Sequence, residues 1–114
     1  MRSWEEAAAF ALTLADTELS TSYGGPAVKV NGKGFLYLGG EPDSSFAVAA
    51  PLPEKDLLIE TDPDTFWETD HYRAWPALLV RFGGKDEERV RTVITRAWWD
   101  RLKKAQRIAA GERP

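Results

Sequence analysis

The sequence predicts a single α+β domain, an antiparallel sheet with helices packed on one face, in the order α-β-β-β-α-(β)-β-α. Three observations carry this. Two runs of β-branched and aromatic residues flank Asn31-Gly32, the dipeptide best suited to the two positive φ angles of a type I′ hairpin turn. The connection Gly39-Gly40-Glu41-Pro42-Asp43-Ser44 is too short for a crossover, so the strand after it must run antiparallel. Apolar residues at three- and four-residue steps mark a helix at each end of the chain.

The first helix starts at Ser3, which has Glu6 three residues on, the capping-box spacing. Trp4, Ala7, Ala8, Ala11, Leu14 and Ala15 form its inward stripe. Asp16 to Ser22 reads as a polar connector with room for a short strand, and Tyr23-Gly24-Gly25-Pro26 as a turn. The hairpin follows, with Val28 and Val30 on one face of its first strand. Phe35, Leu36, Tyr37 and Leu38 leave its second strand no polar face, so both sides need cover or the edge needs shielding. Phe46 to Ala50 is the third strand, and Pro53 to Glu60 a short helix with proline in its first turn. Phe66 to Arg73 is a short extended piece broken by Trp75-Pro76, and Ala77 to Phe82 is a further strand. One long helix is expected from about Asp86 to Ala110, with Val90, Ile94, Ala97, Trp98, Leu102, Ala105 and Ala109 on its apolar stripe. Trp4 and Trp98 should be core, and Trp99 should lie at the stripe's edge.

Composition narrows the function classes. A chain of 114 residues with 43% hydrophobic and 29% charged residues suits one globular domain with its own core. The absence of cysteine removes disulfides, thiolate metal sites and cysteine nucleophiles, and suits a reducing cytoplasm. No apolar run has the length of a membrane span, and Met1-Arg2-Ser3-Trp4-Glu5-Glu6 lacks the apolar core of a signal peptide. A net charge of −3 is not that of a dedicated nucleic-acid binder, so any such role would need a local basic patch.

Four groups of residues are candidates for chemistry. The sole histidine, His71, follows Asp62, Asp64, Glu68 and Asp70. The acids are better explained as helix-turn caps and solvated groups than as metal ligands, and neither a metal nor another cofactor is expected. Trp67, His71, Tyr72 and Trp75 could line a pocket, although an aromatic cluster is the simpler account. Gly32-Lys33-Gly34 lacks the remaining positions of a phosphate-binding loop. From residue 89 to 107 there are seven bases against one acid, and a continuous helix would align Arg89, Arg96, Lys103 and Arg107 opposite the apolar stripe. Such a row could track phosphates, with Lys29 and Lys33 of the hairpin adding charge. Dipole-favourable bases on a solvated face are the simpler account of it.

Lys29-Val30-Asn31-Gly32-Lys33-Gly34-Phe35 resembles the K-V-x-G-K-x-F hairpin of the MmcQ/YjbR family of small bacterial domains. Phe66, His71-Tyr72 and Leu79-Val80-Arg81 follow in that family's order, so the resemblance runs over nearly all of residues 1–114. Many members carry an Asn-Lys pair where this chain has Arg73-Ala74-Trp75-Pro76. The resemblance implies a fold similar to secretion chaperones with a CyaY-like outline, and a DNA-binding role. Three readings are therefore carried forward. The first is a non-enzymatic cytoplasmic domain that binds DNA weakly and non-specifically through phosphates. The second is a protein-interaction module, homodimer included. The third is an enzyme or small-ligand protein built around Trp67, His71 and Trp75. A continuous positive surface favours the first, a flat apolar sheet face the second, and a concave aromatic pocket the third.

Overall fold

In the computed structural model, which describes all 114 residues, six antiparallel strands form one sheet in the order β1-β2-β3-β4-β6-β5. The strands are β1 Thr17–Ser22, β2 Gly25–Val30, β3 Lys33–Tyr37, β4 Ser45–Ala49, β5 Phe66–Trp67 and β6 Ala77–Arg81. The helices are α1 Trp4–Ala11, α2 Leu52–Thr61, α3 Glu87–Asp100 and α4 Lys104–Ala110, with a 3₁₀ turn at Asp70–Tyr72. α1 packs on β2 and β4, α3 on β3, β4 and α1, and α2 on β5 and β6. The α+β class, the antiparallel sheet and the order of the main elements agree with the sequence reading. No helix is long and apolar enough to cross a membrane.

The hairpin has the expected turn, with φ of 55° at Asn31 and 74° at Gly32. Lys29 pairs with Gly34 and Val28 with Leu36, so Phe35 is an extra residue, a β-bulge. The bulge resolves the strand with no polar face. Phe35 and Leu36, though adjacent, both enter the helix-side core, and Tyr37 points to the opposite face. That core also takes Phe46 and Val48 of β4, Leu78 and Val80 of β6, Trp4 of α1, and Val90, Ile94 and Trp98 of α3. Trp99 is half-buried against it, as its place on the stripe requires.

Three expectations are corrected. α1 stops at Ala11 rather than near Ala15. Thr13 Oγ1 bonds the Phe10 carbonyl, the Trp98 indole N–H takes the Ala15 carbonyl, and Asp16 adopts a left-handed φ of 63°. The polar connector is a six-residue edge strand, β1, paired with β2 from Thr17–Val30 to Ser22–Gly25. Its turn places Tyr23 and Gly24 at φ of 53° and 78°, a second turn with two positive angles. Four strands therefore precede α2, not three.

The third correction concerns the C-terminal helix, which is two helices. The N–H groups of Arg101 and Leu102 bond carbonyls three residues back, which tightens the last turn of α3. Lys103 is then extended, and Gln106 Oε1 accepts from its backbone N–H at 2.8 Å. Asn31 of the hairpin holds the corner from outside. Its side-chain amide donates to the Arg101 carbonyl at 3.0 Å and to Gln106 Oε1 at 2.7 Å. Leu102 is buried at the corner, whereas Ala105 and Ala109, assigned above to the apolar stripe, are exposed.

Candidate functional site

The sheet face opposite the helical core is apolar and small-featured, with Ala27, Ala47 and Leu79 fully buried. A cleft of about 690 Å³ opens on this side. Its lining includes Tyr37, Ala49 and Ala77 from the sheet, Tyr23, Gly24 and Gly25 from the β1–β2 turn, and Gly39-Gly40 after β3. His71, Tyr72, Trp75 and Pro76 form one wall, and Arg101 reaches in from the end of α3.

The aromatic wall has defined geometry. The His71 and Trp75 rings lie 6.5 Å apart and 23° from parallel, and Tyr23 meets Trp75 edge-on at 5.8 Å. Tyr72 packs edge-on to His71 at 5.6 Å, and its hydroxyl accepts from the Gly40 N–H at 3.3 Å. Tyr23 and Trp75 are exposed at the rim. Two glycines are required by this packing. A Cβ on Gly34 would stand 2.5 Å from the Tyr37 ring, and one on Gly39 would collide with the Tyr72 hydroxyl. His71 has aromatic neighbours and no hydroxyl or carboxylate hydrogen-bond partner, so it is not arranged as a nucleophile's base.

What fixes the wall is a residue that sequence reasoning passed over. Lys55 of α2 is fully buried. Its ammonium donates to the carbonyls of Tyr72 at 2.6 Å, Arg73 at 3.3 Å and Trp75 at 2.9 Å. The Glu68 carboxylate lies 2.7 Å away, within ion-pair distance. One cation thus gathers three carbonyls of the 72–75 stretch around its charge. A signal was present: Lys55 shares the inward stripe of α2 with Leu58 and Ile59, where a charge needs buried partners.

Arg101 is the second residue passed over, counted above only among seven bases. Its Nε donates to the Gly34 carbonyl at 3.1 Å, the same oxygen that accepts from the Tyr37 hydroxyl at 2.7 Å. No carboxylate lies within ion-pair distance of its guanidinium. Burial pushes the Tyr37 phenol above its ordinary range, with the neighbouring Arg101 charge pulling the other way.

The sequence-derived candidates fare unequally. Of the four aromatic residues, the structure brings His71, Tyr72 and Trp75 together, and Trp67 is elsewhere. Its indole N–H donates to Ser45 Oγ at 3.0 Å and Arg81 covers its ring at 4.5 Å. The four-base row does not exist, because the helix breaks before Lys103. Arg89 bonds Thr61 Oγ1 at 2.9 Å, and Arg96 pairs with Glu54 at 3.2 Å. Arg107 stacks on Trp99 at 4.2 Å and donates to the Asp100 carbonyl. Arg113 completes a network by bridging Glu54 and Asp100, which raises its already high pKa. Lys103, Lys104 and Lys33 remain exposed, on either side of the Asn31–Gln106 contact, while Lys29 is half-buried in β2. The acids near His71 do not converge on a metal site. The Asp62 carbonyl receives the Thr65 and Phe66 N–H groups, and Asp70 pairs with Arg73 at 2.5 Å. Glu68, expected to be solvated, faces Lys55.

A six-stranded antiparallel sheet with helices on one face and an aromatic cleft on the other defines a small single-core α+β domain. The family model for YjbR matches residues 12–99, and the chain belongs to the YjbR family. No curated protein and no solved structure matches it.

Proposed function

We propose that this domain is a non-catalytic binding protein whose site is the aromatic cleft, and that it takes a small ligand. The observation that carries the reading is the buried Lys55, which ties the His71–Trp75 wall to α2 through the Tyr72 and Trp75 carbonyls. A preformed concave site with aromatic walls and a few convergent polar groups is the usual form of a small-molecule site. The placement of His71 among rings supports binding over catalysis. The direct test is titration with a neutral planar compound such as indole, followed by thermal shift and by calorimetry. Saturable binding is expected, lost in Trp75→Ala, whose side chain is exposed enough to be removed without unfolding the domain. Binding that survives Trp75→Ala, or no binding at millimolar indole, contradicts the reading.

A second reading, weak and non-specific DNA binding, is supported by the basic corner. Lys33, Lys103 and Lys104 are exposed around the Asn31–Gln106 contact, a smaller patch than the row expected from sequence. Three bases would neutralise about three phosphates, giving a slope of log K against log salt of about −2.7. Replacing Lys103 and Lys104 with alanine should flatten the slope by about two and leave stability unchanged, since both side chains face solvent. Fluorescence anisotropy with duplex DNA at two salt concentrations measures both quantities. A slope indifferent to the two lysines, or no binding at low salt, rules this corner out as a DNA site.

A further inference from the structure

Accepting the cleft as a ligand site, we infer that its ligand is a planar aromatic anion, its ring against Tyr72 and Trp75 and its carboxylate or phosphate on Arg101. Every other arginine on α3 and α4 whose side chain is half-buried has an identified use. Arg89 and Arg96 bond α2, and Arg107 stacks on Trp99. Arg101 is half-buried with neutral partners alone, the Gly34 carbonyl at Nε and the Tyr37 hydroxyl beside its guanidinium, and no carboxylate lies within ion-pair distance. A guanidinium without a counter-charge in a partly dry cleft is matched to a bidentate oxyanion.

A second observation points the same way. Beyond Arg101 lies a smaller hollow of about 300 Å³ that shares Ala49, Pro76 and Arg101 with the main cleft and also contains Arg107. The Nε of Arg107 is buried there without an acceptor. The one carboxylate bordering this hollow, Asp100, is engaged by Arg113 at 2.8 and 3.0 Å. Two arginines without a carboxylate partner therefore flank one end of a cleft that is otherwise aromatic and apolar. The opposite end is closed by Tyr72 over Gly39 and Gly40, where any Cβ on Gly39 would fill the space the hydroxyl occupies. A flat ring fits between these ends, and a charge on the ring's edge belongs at the arginine end.

The test compares indole, indole-3-carboxylate and adenosine 5′-monophosphate by calorimetry against the parent domain, Arg101→Met and Arg101→Lys. The parent should bind at least one of the two anions roughly tenfold or more tighter than the neutral compound, as a charged hydrogen-bonded pair in a partly excluded site implies. Arg101→Met should abolish that preference, and Arg101→Lys should keep part of it. Preference for the carboxylate identifies a carboxylic acid ligand, and preference for the monophosphate a phosphorylated one. Equal binding of indole and both anions overturns the inference and leaves the cleft standing as a site for neutral ligands. If no compound binds, the cleft reading falls and the inference falls with it. An anion preference retained in Arg101→Met also overturns it. A cooperative thermal melt and a parental circular-dichroism spectrum show that this variant is folded.

Discussion

Replacing Lys55 with methionine is expected to destabilise the domain by about 3–5 kcal/mol, the usual result of removing one member of a buried charged pair. Methionine keeps much of the side-chain length and apolar stem, so the loss is not chiefly one of packing. It comes from the Tyr72, Arg73 and Trp75 carbonyls, which lose their donor, and from Glu68, which loses its counter-charge. For a domain of this size the drop in melting temperature should be roughly 12–20 °C. Adding Glu68→Gln should recover only the part due to the stranded carboxylate, because the carbonyls remain without a donor. The local signature is as telling as the global one. Amide exchange across residues 70–76 should accelerate in conditions where the sheet stays protected. A Lys55→Met variant as stable as the parent, with unchanged exchange there, would show that the lysine does not hold the wall.

Phe46→Ala should cost a similar amount, about 3–5 kcal/mol, by a different route. Phe46 is fully buried in β4, opposite Val80, and its ring lies 6.0 Å from that of Phe82. Truncation leaves a cavity lined by a sheet and helices that cannot close without breaking the β4–β6 ladder. The two variants separate stability from site. Phe46 points to the helix side and its neighbour Ala47 to the cleft side, so the folded fraction of Phe46→Ala should bind indole with parental affinity. Lys55→Met should bind it more weakly even when fully folded. Urea denaturation gives the stabilities, and calorimetry well below each melting temperature gives the affinities. Matching losses of affinity in both variants would mean that the cleft simply tracks global stability.

The parts of the fold that were legible in the sequence are those set by local backbone chemistry. Asn31-Gly32 declared a turn because few residues tolerate two successive positive φ angles, and the structure has that turn. β1 was harder to see because its residues, Thr-Glu-Leu-Ser-Thr-Ser, form an edge that buries little, so no apolar alternation announces it. The break between α3 and α4 was illegible for a related reason. Residues 101–103 contain no glycine or proline, and the helix ends there because Asn31, 70 residues away in sequence from Arg101, takes its carbonyl. Periodicity sees only near neighbours. The candidate site divides in the same way. His71, Tyr72 and Trp75 stood out by residue type and proximity, and the cleft uses all three. Trp67 failed because its backbone belongs to β5, pairing with Leu79, which directs its indole to Ser45. Lys55 carried a signal in its place on the inward stripe of α2, whereas Arg101 was indistinguishable from a surface base until the tertiary structure set it in the cleft without a carboxylate partner.

The central claim is that the cleft behind the Lys55-held wall is a binding site, and nuclear magnetic resonance maps it most directly. In a titration with indole-3-carboxylate, the predicted shifts concentrate on the Trp75 indole N–H, the Gly39 and Gly40 amides and the Ala49 and Ala77 methyls, with the Arg101 Nε–H shifting in the same concentration range. Shifts confined to Lys103, Lys104 and the surrounding surface of α4, or no shifts at ligand concentrations that saturate simple aromatic sites, would contradict it.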